Sequence, residues 1–286
     1  RTISHDIEII PAHAWTPWFS IFGSKSGWDS IEECFKEKSK FIHAIETGLS
    51  SDPAMNWRIS FLDNINLVSF SDAHSFHPWR LGREATLFEG KLNYNTILKA
   101  IRTGSGLVGT IEVDPNYGKY HYDGHRNCGI VLRPEQSKQL NNICPKCGQN
   151  LTIGVLSRIL DLSTRKHDYK PLNAKIYHKI LPLSELIANY LNINQLYSKK
   201  VNQVYEALIN KYTSEFNVLL NVSEDQLRMY IDGKLTDLII KNRLGRIPIE
   251  PGFDGEYGKI LLKNEKYLVQ KSLEDYLILY FYILKV

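Results

Sequence analysis

Two tight pairs of ligand-type residues constrain this 286-residue chain more than any other feature: His125-x2-Cys128 and, fifteen residues further on, Cys144-x2-Cys147. A zinc-type cation asks for four nitrogen or sulfur ligands at tetrahedral positions, and two pairs of this spacing, each on a knuckle turn, supply them with little backbone strain. Gly148 follows the second sulfur of Cys-Pro-Lys-Cys-Gly, where the turn favours a residue without a Cβ. Three of the four cysteines fall in this stretch, and Cys34 stands alone in a predicted helix, a pattern of metal binding and not of a disulfide framework. His121 competes with His125 for the fourth place, and pair spacing favours His125. A closed ligand set of this kind holds a fold together and does not catalyse, so the expected cofactor is a structural zinc.

The rest of the chain is ordinary globular material, 43% hydrophobic and 23% charged, which excludes disorder as the ground state. A formal charge of +4 permits a polyanionic partner without requiring one. No signal peptide is apparent, and the terminal YLILYFYILKV is too short to span a bilayer, so no membrane partner and a cytoplasmic location are expected. The first residue is Arg1, and the chain enters a strand-like run almost at once. The expectation is that the start of a larger protein lies upstream.

Residues 7–13, IEIIPAH, read as a buried strand with His13 at its end. Ser30 and Glu33 make a capping box for a short helix. Residues 41–48 (FIHAIETG) and 67–75 (LVSFSDAHS) read as two further strands, and NYNTILKAIRTG as a helix. Strands alternating with helices imply a parallel α/β architecture, in which chemistry collects at the carboxyl ends of strands. After Gly104 the pattern becomes β-like and glycine-punctuated, and from about residue 155 it is helical. One helix is expected across LSELIANYLNI. Another is expected across SEDQLRMYIDGKLTDLIIKNRLG, capped by Ser223 and Gln226, with Leu227, Ile231, Leu235 and Leu238 on one buried face. PGFDGEYG (251–258) reads as an exposed loop.

His13, Glu46, Asp72 and His74 all fall at or near predicted strand ends. On an extended strand, residues i and i+2 point the same way, so Asp72 and His74 can share one cation. Imidazole and carboxylate ligands together suit a hydrolytic site with Zn, Mn or Fe. The blander reading of each is a surface aspartate, a capping histidine or a satisfied core histidine. Aromatic and basic residues follow these positions: Trp15, Trp18 and Phe19 after His13, and Trp79, Arg80 and Arg83 after His74. Aromatic faces stack bases and arginines clamp phosphates, whereas the alternative is that the aromatics pack their loop. Near the end, Gln270, Leu273, Tyr276 and Leu277 share one helical face and would plug a hydrophobic cleft on a partner.

Whole phrases of the chain resemble the endonuclease Q family of archaeal and occasionally bacterial DNA repair nucleases: PAHAWTPWFSIFGSKSGWDSIEECF, IETGLSSDPAMNWR, SDAHSFHPWRLGREAT, GTIEVDPNYGKYHYDGHRNCG, CPKCGQNLTIGV and PGFDGEYG. The resemblance implies the C-terminal part of a PHP-type (β/α) barrel, then a small zinc-binding domain and an α-helical region. The corresponding boundaries are a partial PHP phosphoesterase domain over 1–104, the zinc domain over 105–155, the helical domain over 156–250 and a C-terminal tail over 251–286. It implies a metal-dependent endonuclease that nicks DNA 5′ of deaminated bases (uracil, hypoxanthine, xanthine) or abasic sites. His13, Asp72, His74 and Glu46 would belong to a PHP metal centre holding Zn, Mg or Mn, with Asp72 essential for cleavage. Cys128, Cys144 and Cys147 would belong to the family's zinc module. The segment from Gln270 to Leu277 resembles the peptide that docks repair enzymes on the sliding clamp (PCNA), although Leu277 is not aromatic. PHP domains open with an H-x-H that this chain lacks, which leaves two alternatives: a PHP-family phosphatase on a small phosphomonoester, or a catalytically inactive DNA-binding fragment.

Overall fold

The computed structural model describes residues 3–25 and 27–261. Two parallel strands, β1 (Ala44–Glu46) and β2 (Asn66–Val68), stand side by side with Ala44 opposite Asn66 and Glu46 opposite Val68. A second sheet is mixed. β3 (Ala85–Phe88) runs antiparallel to β4 (Leu107–Glu112), and β4 runs parallel to a late strand, β7 (Ile176–Lys179). Side chains join the two sheets. The Thr86 hydroxyl donates to the Ser69 carbonyl at 2.8 Å, and the Thr47 hydroxyl donates to Glu112 at 2.8 Å. The architecture is mixed α/β, and the strands do not close into a barrel among the described residues.

The parallel step from β4 to β7 needs a long crossover, and the metal module occupies it. β5 (Asp123–His125) and β6 (Ile130–Leu132) form a small antiparallel pair there, with helices Pro134–Gln139 and Val155–Leu162 following. Buried Asp123 binds this module together: its carboxylate accepts from the hydroxyls of Ser137 and Ser157 and from the Gly154 N–H. Val155 and Ile159 leave the module and enter the same core as Trp15, Phe22, Ile45 and Ile59. The sheet β3–β4–β7 therefore draws its strands from three of the expected domains.

Residues 7–13 are not a strand. Ile7 and Ile9 are exposed. The segment lies beside β1 through two backbone bonds, Glu46 N–H to the Pro11 carbonyl (3.0 Å) and Ala14 N–H to the Glu46 carbonyl (3.1 Å). Pro11 has no N–H to continue a ladder. Glu8 instead pins the segment, accepting from Arg102 at 2.5 Å and meeting His43 Nδ1 at 2.8 Å.

The helical part is built on amphipathic stripes. Leu183, Leu186 and Ile187 of helix Leu183–Tyr190 pack with Val201 and Leu208 of helix Lys199–Tyr212 and with Leu235 and Ile239 of helix Gly233–Arg243. The single helix expected over 223–245 is two, Glu224–Arg228 and Gly233–Arg243. Asp232 restarts the second by accepting from the Lys234 N–H at 2.8 Å. The break does not disturb the stripe, because Leu227, Leu235 and Leu238 are all buried. A last antiparallel pair, β8 (Ile249–Glu250) with β9 (Lys259–Ile260), carries the loop 251–258 back onto the metal module. Pro251, Gly252 and Gly258 are buried, so that loop is docked and not free. Gln270, Leu273, Tyr276 and Leu277 lie outside the described residues. Among the described residues no helix is long and apolar enough to cross a membrane.

Candidate functional site

The knuckles converge. One ligand atom from each of His125, Cys128, Cys144 and Cys147 lies within 4.8 Å of every other, and His125 Nδ1 stands 3.2 Å from the Cys147 sulfur. Gly148 adopts a φ of 72°, and its N–H donates to the Cys144 carbonyl at 2.9 Å, which closes the second knuckle. The donor set could hold a metal such as zinc. His121 stands outside it: it is buried, its ring meets the Ser50 carbonyl at 3.4 Å, and burial pushes its pKa down to about 4.

A separate cavity of about 790 Å³ opens where β1, the loop after β2 and the 251–258 loop meet. His13, Glu46, Asp72 and His74 all line it, together with Trp18, Phe19, Arg80 and Arg83. Glu46 ends β1 with its carboxylate buried, and it accepts from the His13 N–H at 2.5 Å. Burial pushes the Glu46 carboxyl above the usual range, against that hydrogen bond. Gly48 permits this approach, because a Cβ there would lie 2.9 Å from the His13 Cα.

Asp72 and His74 are neighbours by a route other than strand alternation. β2 ends at Val68, and residues 69–77 form a loop in which Asp72 has a φ of 44°. The curl brings His74 Nδ1 to 2.8 Å from the Asp72 carbonyl and 3.9 Å from its carboxylate. A ring nitrogen donating to a carbonyl leaves the other nitrogen as a free lone pair, the arrangement metal-binding histidines use. His13 and Phe19 also have positive φ, 32° and 56°, so three strained non-glycine residues face one cavity. Such strain collects at functional sites. Among the described residues, however, the His/Cys cluster is the one group of three or more ligand atoms close enough to share an ion. His13, Glu46, Asp72 and His74 surround the cavity without closing into a compact ligand set.

Three of the expected nucleic-acid contacts are buried. Trp15 is 1% exposed, its indole N–H donates to Asn56 at 2.8 Å, and its ring packs on Phe22 with centroids 4.8 Å apart. A ring enclosed in this way has no face for a base. Trp79 is buried and stacked on His77 at 4.4 Å. Arg83 is also buried, and its guanidinium is spent on the carbonyls of Ser71 (2.7 Å) and Asp72 (3.2 Å). Trp18 and Phe19 are exposed, Phe19 at 94%. The cavity wall also contains Glu84, Lys119, Tyr120 and Tyr257, which sequence reasoning assigned no role. Their only signal is that each falls within a phrase shared with the nuclease family.

The family model described as the MJ0043 C-terminal domain matches residues 182–246. The chain is 38% identical over 261 residues to the uncharacterized protein MJ0043 of Methanocaldococcus jannaschii, covering 89% of this chain and 32% of that protein. It is 29% identical over 255 residues to the uncharacterized protein YqxK of Bacillus subtilis, covering 88% and 60%. The chain thus spans about a third and about three fifths of these relatives' lengths. Among solved structures it is similar to the lesion-specific endonuclease PfuEndoQ of Pyrococcus furiosus, with a TM-score of 0.80 and 33% identity over 94% of this chain and 66% of that one. It is equally similar, at a TM-score of 0.80 and 32% identity over the same shares, to an endonuclease Q bound to a 27-mer duplex with an abasic lesion at the active site. A fold matched at a TM-score of 0.80 and about a third of the residues shared across 94% of the chain lead to one assignment: this chain belongs to the endonuclease Q family.

Proposed function

We propose that the chain forms part of a DNA repair endonuclease of PHP type that nicks a strand 5′ of a deaminated base or an abasic site, with the His/Cys cluster holding a structural zinc. The observation that carries this reading is the single cavity in which His13, Glu46, Asp72 and His74 share a wall with exposed Trp18 and Phe19 and with Arg80. A divalent cation bound there, Zn, Mg or Mn, would act as a Lewis acid on a phosphodiester. The protein's own groups prepare the place. His74 presents its free ring nitrogen, Asp72 presents an exposed carboxylate, and buried Glu46 orients the His13 main chain. Trp18 and Phe19 offer faces to an extruded base, since a lesion's altered edge is hidden within the duplex.

The test is incubation of the purified chain with end-labelled duplexes containing uracil, hypoxanthine or an abasic site, with Mg or Mn, beside undamaged duplex. Nicking 5′ of the lesion, abolished by Asp72→Asn, supports the reading. Equal cutting of undamaged DNA would remove its lesion-specific part. The open spacing of the four cavity ligands favours a second reading, DNA binding without cleavage, which salt-sensitive binding and no nicking would establish.

A further inference from the structure

Arg80, Lys119 and Tyr257 come from three separate stretches of chain, and the loop that brings Tyr257 is fastened along its length. Gly252 N–H donates to the Asn116 carbonyl at 2.8 Å, Gly255 N–H to the Lys119 carbonyl at 3.0 Å and Gly258 N–H to the Tyr117 carbonyl at 3.2 Å. Asp254 accepts from the Arg126 N–H at 2.7 Å and from the Thr152 hydroxyl at 2.6 Å. The loop is therefore pinned to the metal module and to the segment that carries Lys119.

At this junction two cations meet one ring. The Lys119 ammonium lies 4.7 Å from the Tyr257 ring centroid and the Arg80 guanidinium carbon 5.7 Å from it. Arg80 also donates to the Tyr257 oxygen at 3.3 Å. The attraction of a cation for a phenol face explains one such contact, but two cations gathered on one ring repel each other. Among the described residues neither makes an ion pair with a carboxylate. Glu185, which lies in the field of Arg80, is half-buried beside Tyr117. With its oxygen already accepting from Arg80, the Tyr257 hydroxyl has its proton to give, and no acceptor for it is found among the described residues. Burial pushes this phenol up, and the charges of Arg80 and Lys119 pull it below its ordinary range, as expected of a hydroxyl in a field that favours anions.

We propose that Arg80, Lys119 and Tyr257 form a phosphate-holding subsite that grips one phosphodiester of a DNA strand beside the cleavage residues. All three line the cavity that contains His13, Glu46, Asp72 and His74. A guanidinium fork, an ammonium and a phenolic O–H give the oxyanion donors of three kinds from three directions of the chain. The subsite rests on the nuclease reading for its ligand, and fixes where the strand lies relative to Asp72.

The experiment is fluorescence anisotropy of a labelled duplex carrying an abasic-site analogue, run from about 50 to 200 mM salt. Lys119→Gln and Arg80→Gln are each expected to weaken binding about 3- to 10-fold and to reduce the salt slope by about 1. Tyr257→Phe keeps the ring and is expected to weaken binding about 2- to 5-fold with the slope unchanged. Lys259→Gln, an equal charge change on an exposed strand position, serves as control, and retained metal content and melting temperature show that each variant folds. Unchanged affinity and slope in both cation variants would overturn the subsite while leaving the nuclease reading intact, as would an equal loss in Lys259→Gln. If the unaltered chain binds no DNA, the nuclease reading fails. The subsite is then decided by the thermal upshift with inorganic phosphate: an upshift lost in Lys119→Gln supports it, and no upshift in the unaltered chain ends it.

Discussion

Arg83 holds Asp72 from behind: one Nη2–H donates to the Asp72 carbonyl at 3.2 Å, while Nε–H donates to the Ser71 carbonyl at 2.7 Å. The guanidinium is buried, and the residue it grips has a φ of 44°, outside the range most side chains adopt. Arg83 is thus a positioning residue for the loop that presents Asp72 and His74. Arg83→Met is expected to destabilise the fold by about 1–3 kcal/mol, because it removes charge-assisted hydrogen bonds and leaves two carbonyls unserved. Nicking should fall more than DNA affinity, with the salt slope of binding unchanged. A slope lowered by about 1 would instead make Arg83 a phosphate contact.

The His/Cys cluster gives a prediction on metal content. The purified chain should carry about one zinc at this cluster, and His125→Ala or Cys144→Ser should lose it, whereas His121→Ala should retain it. Chelation or loss of a ligand should lower the melting temperature substantially, since binding of a structural metal is folding free energy. The effect should reach beyond the module, because Val155 and Ile159 share a core with Trp15 and Ile45. Elemental analysis and thermal melts of the three variants decide it.

Burial pushes the Glu112 carboxyl up to about 8, and it also raises that of neighbouring Glu84. A carboxyl raised in this way keeps its proton in the fold while the unfolded chain loses it near the ordinary value of 4.5. The folded state therefore binds more protons between pH 4.5 and about 8, and its stability should fall as pH rises through that window, then level off. Glu112→Gln should flatten this dependence and be the more stable form near pH 8, by about 1–4 kcal/mol. Denaturant unfolding of both forms at pH 5 and pH 8 measures it. A slope of opposite sign in the unaltered chain would place Glu112 as an ionised, charge-paired group.

Trp15 and Trp18 are three residues apart and should behave oppositely. Trp15→Ala removes a buried ring and its hydrogen bond to Asn56, with an expected loss of about 3–5 kcal/mol. Trp18→Ala removes a ring that is 40% exposed and packed edge-on against Tyr120 at 5.6 Å, so stability should change by about 1 kcal/mol or less. Its effect should appear in affinity for lesion-containing DNA, about 1–3 kcal/mol if a base stacks there. Melts and anisotropy on the two variants separate the roles.

The parts readable from residue order alone are those whose geometry is settled within a few residues. Cys128, Cys144 and Cys147 follow from knuckle spacing, and so does the preference for His125, because two ligands held by one turn need no distant partner. Helices Tyr94–Thr103 and Leu183–Tyr190 follow from the spacing of their apolar residues. Other features depend on what lies opposite. Trp15 and Trp18 have similar neighbours in sequence, and only the turn between them sends one indole into the core and leaves the other at the cavity. Residues 7–13 have the composition of a strand, yet a strand exists only when another backbone supplies its hydrogen bonds. The cavity wall is the extreme case: Arg80, Lys119 and Tyr257 are brought together by the crossover between β4 and β7 and by the return of the 251–258 loop. No local pattern encodes that meeting, because long-range proximity is set by how the cores of separate segments pack.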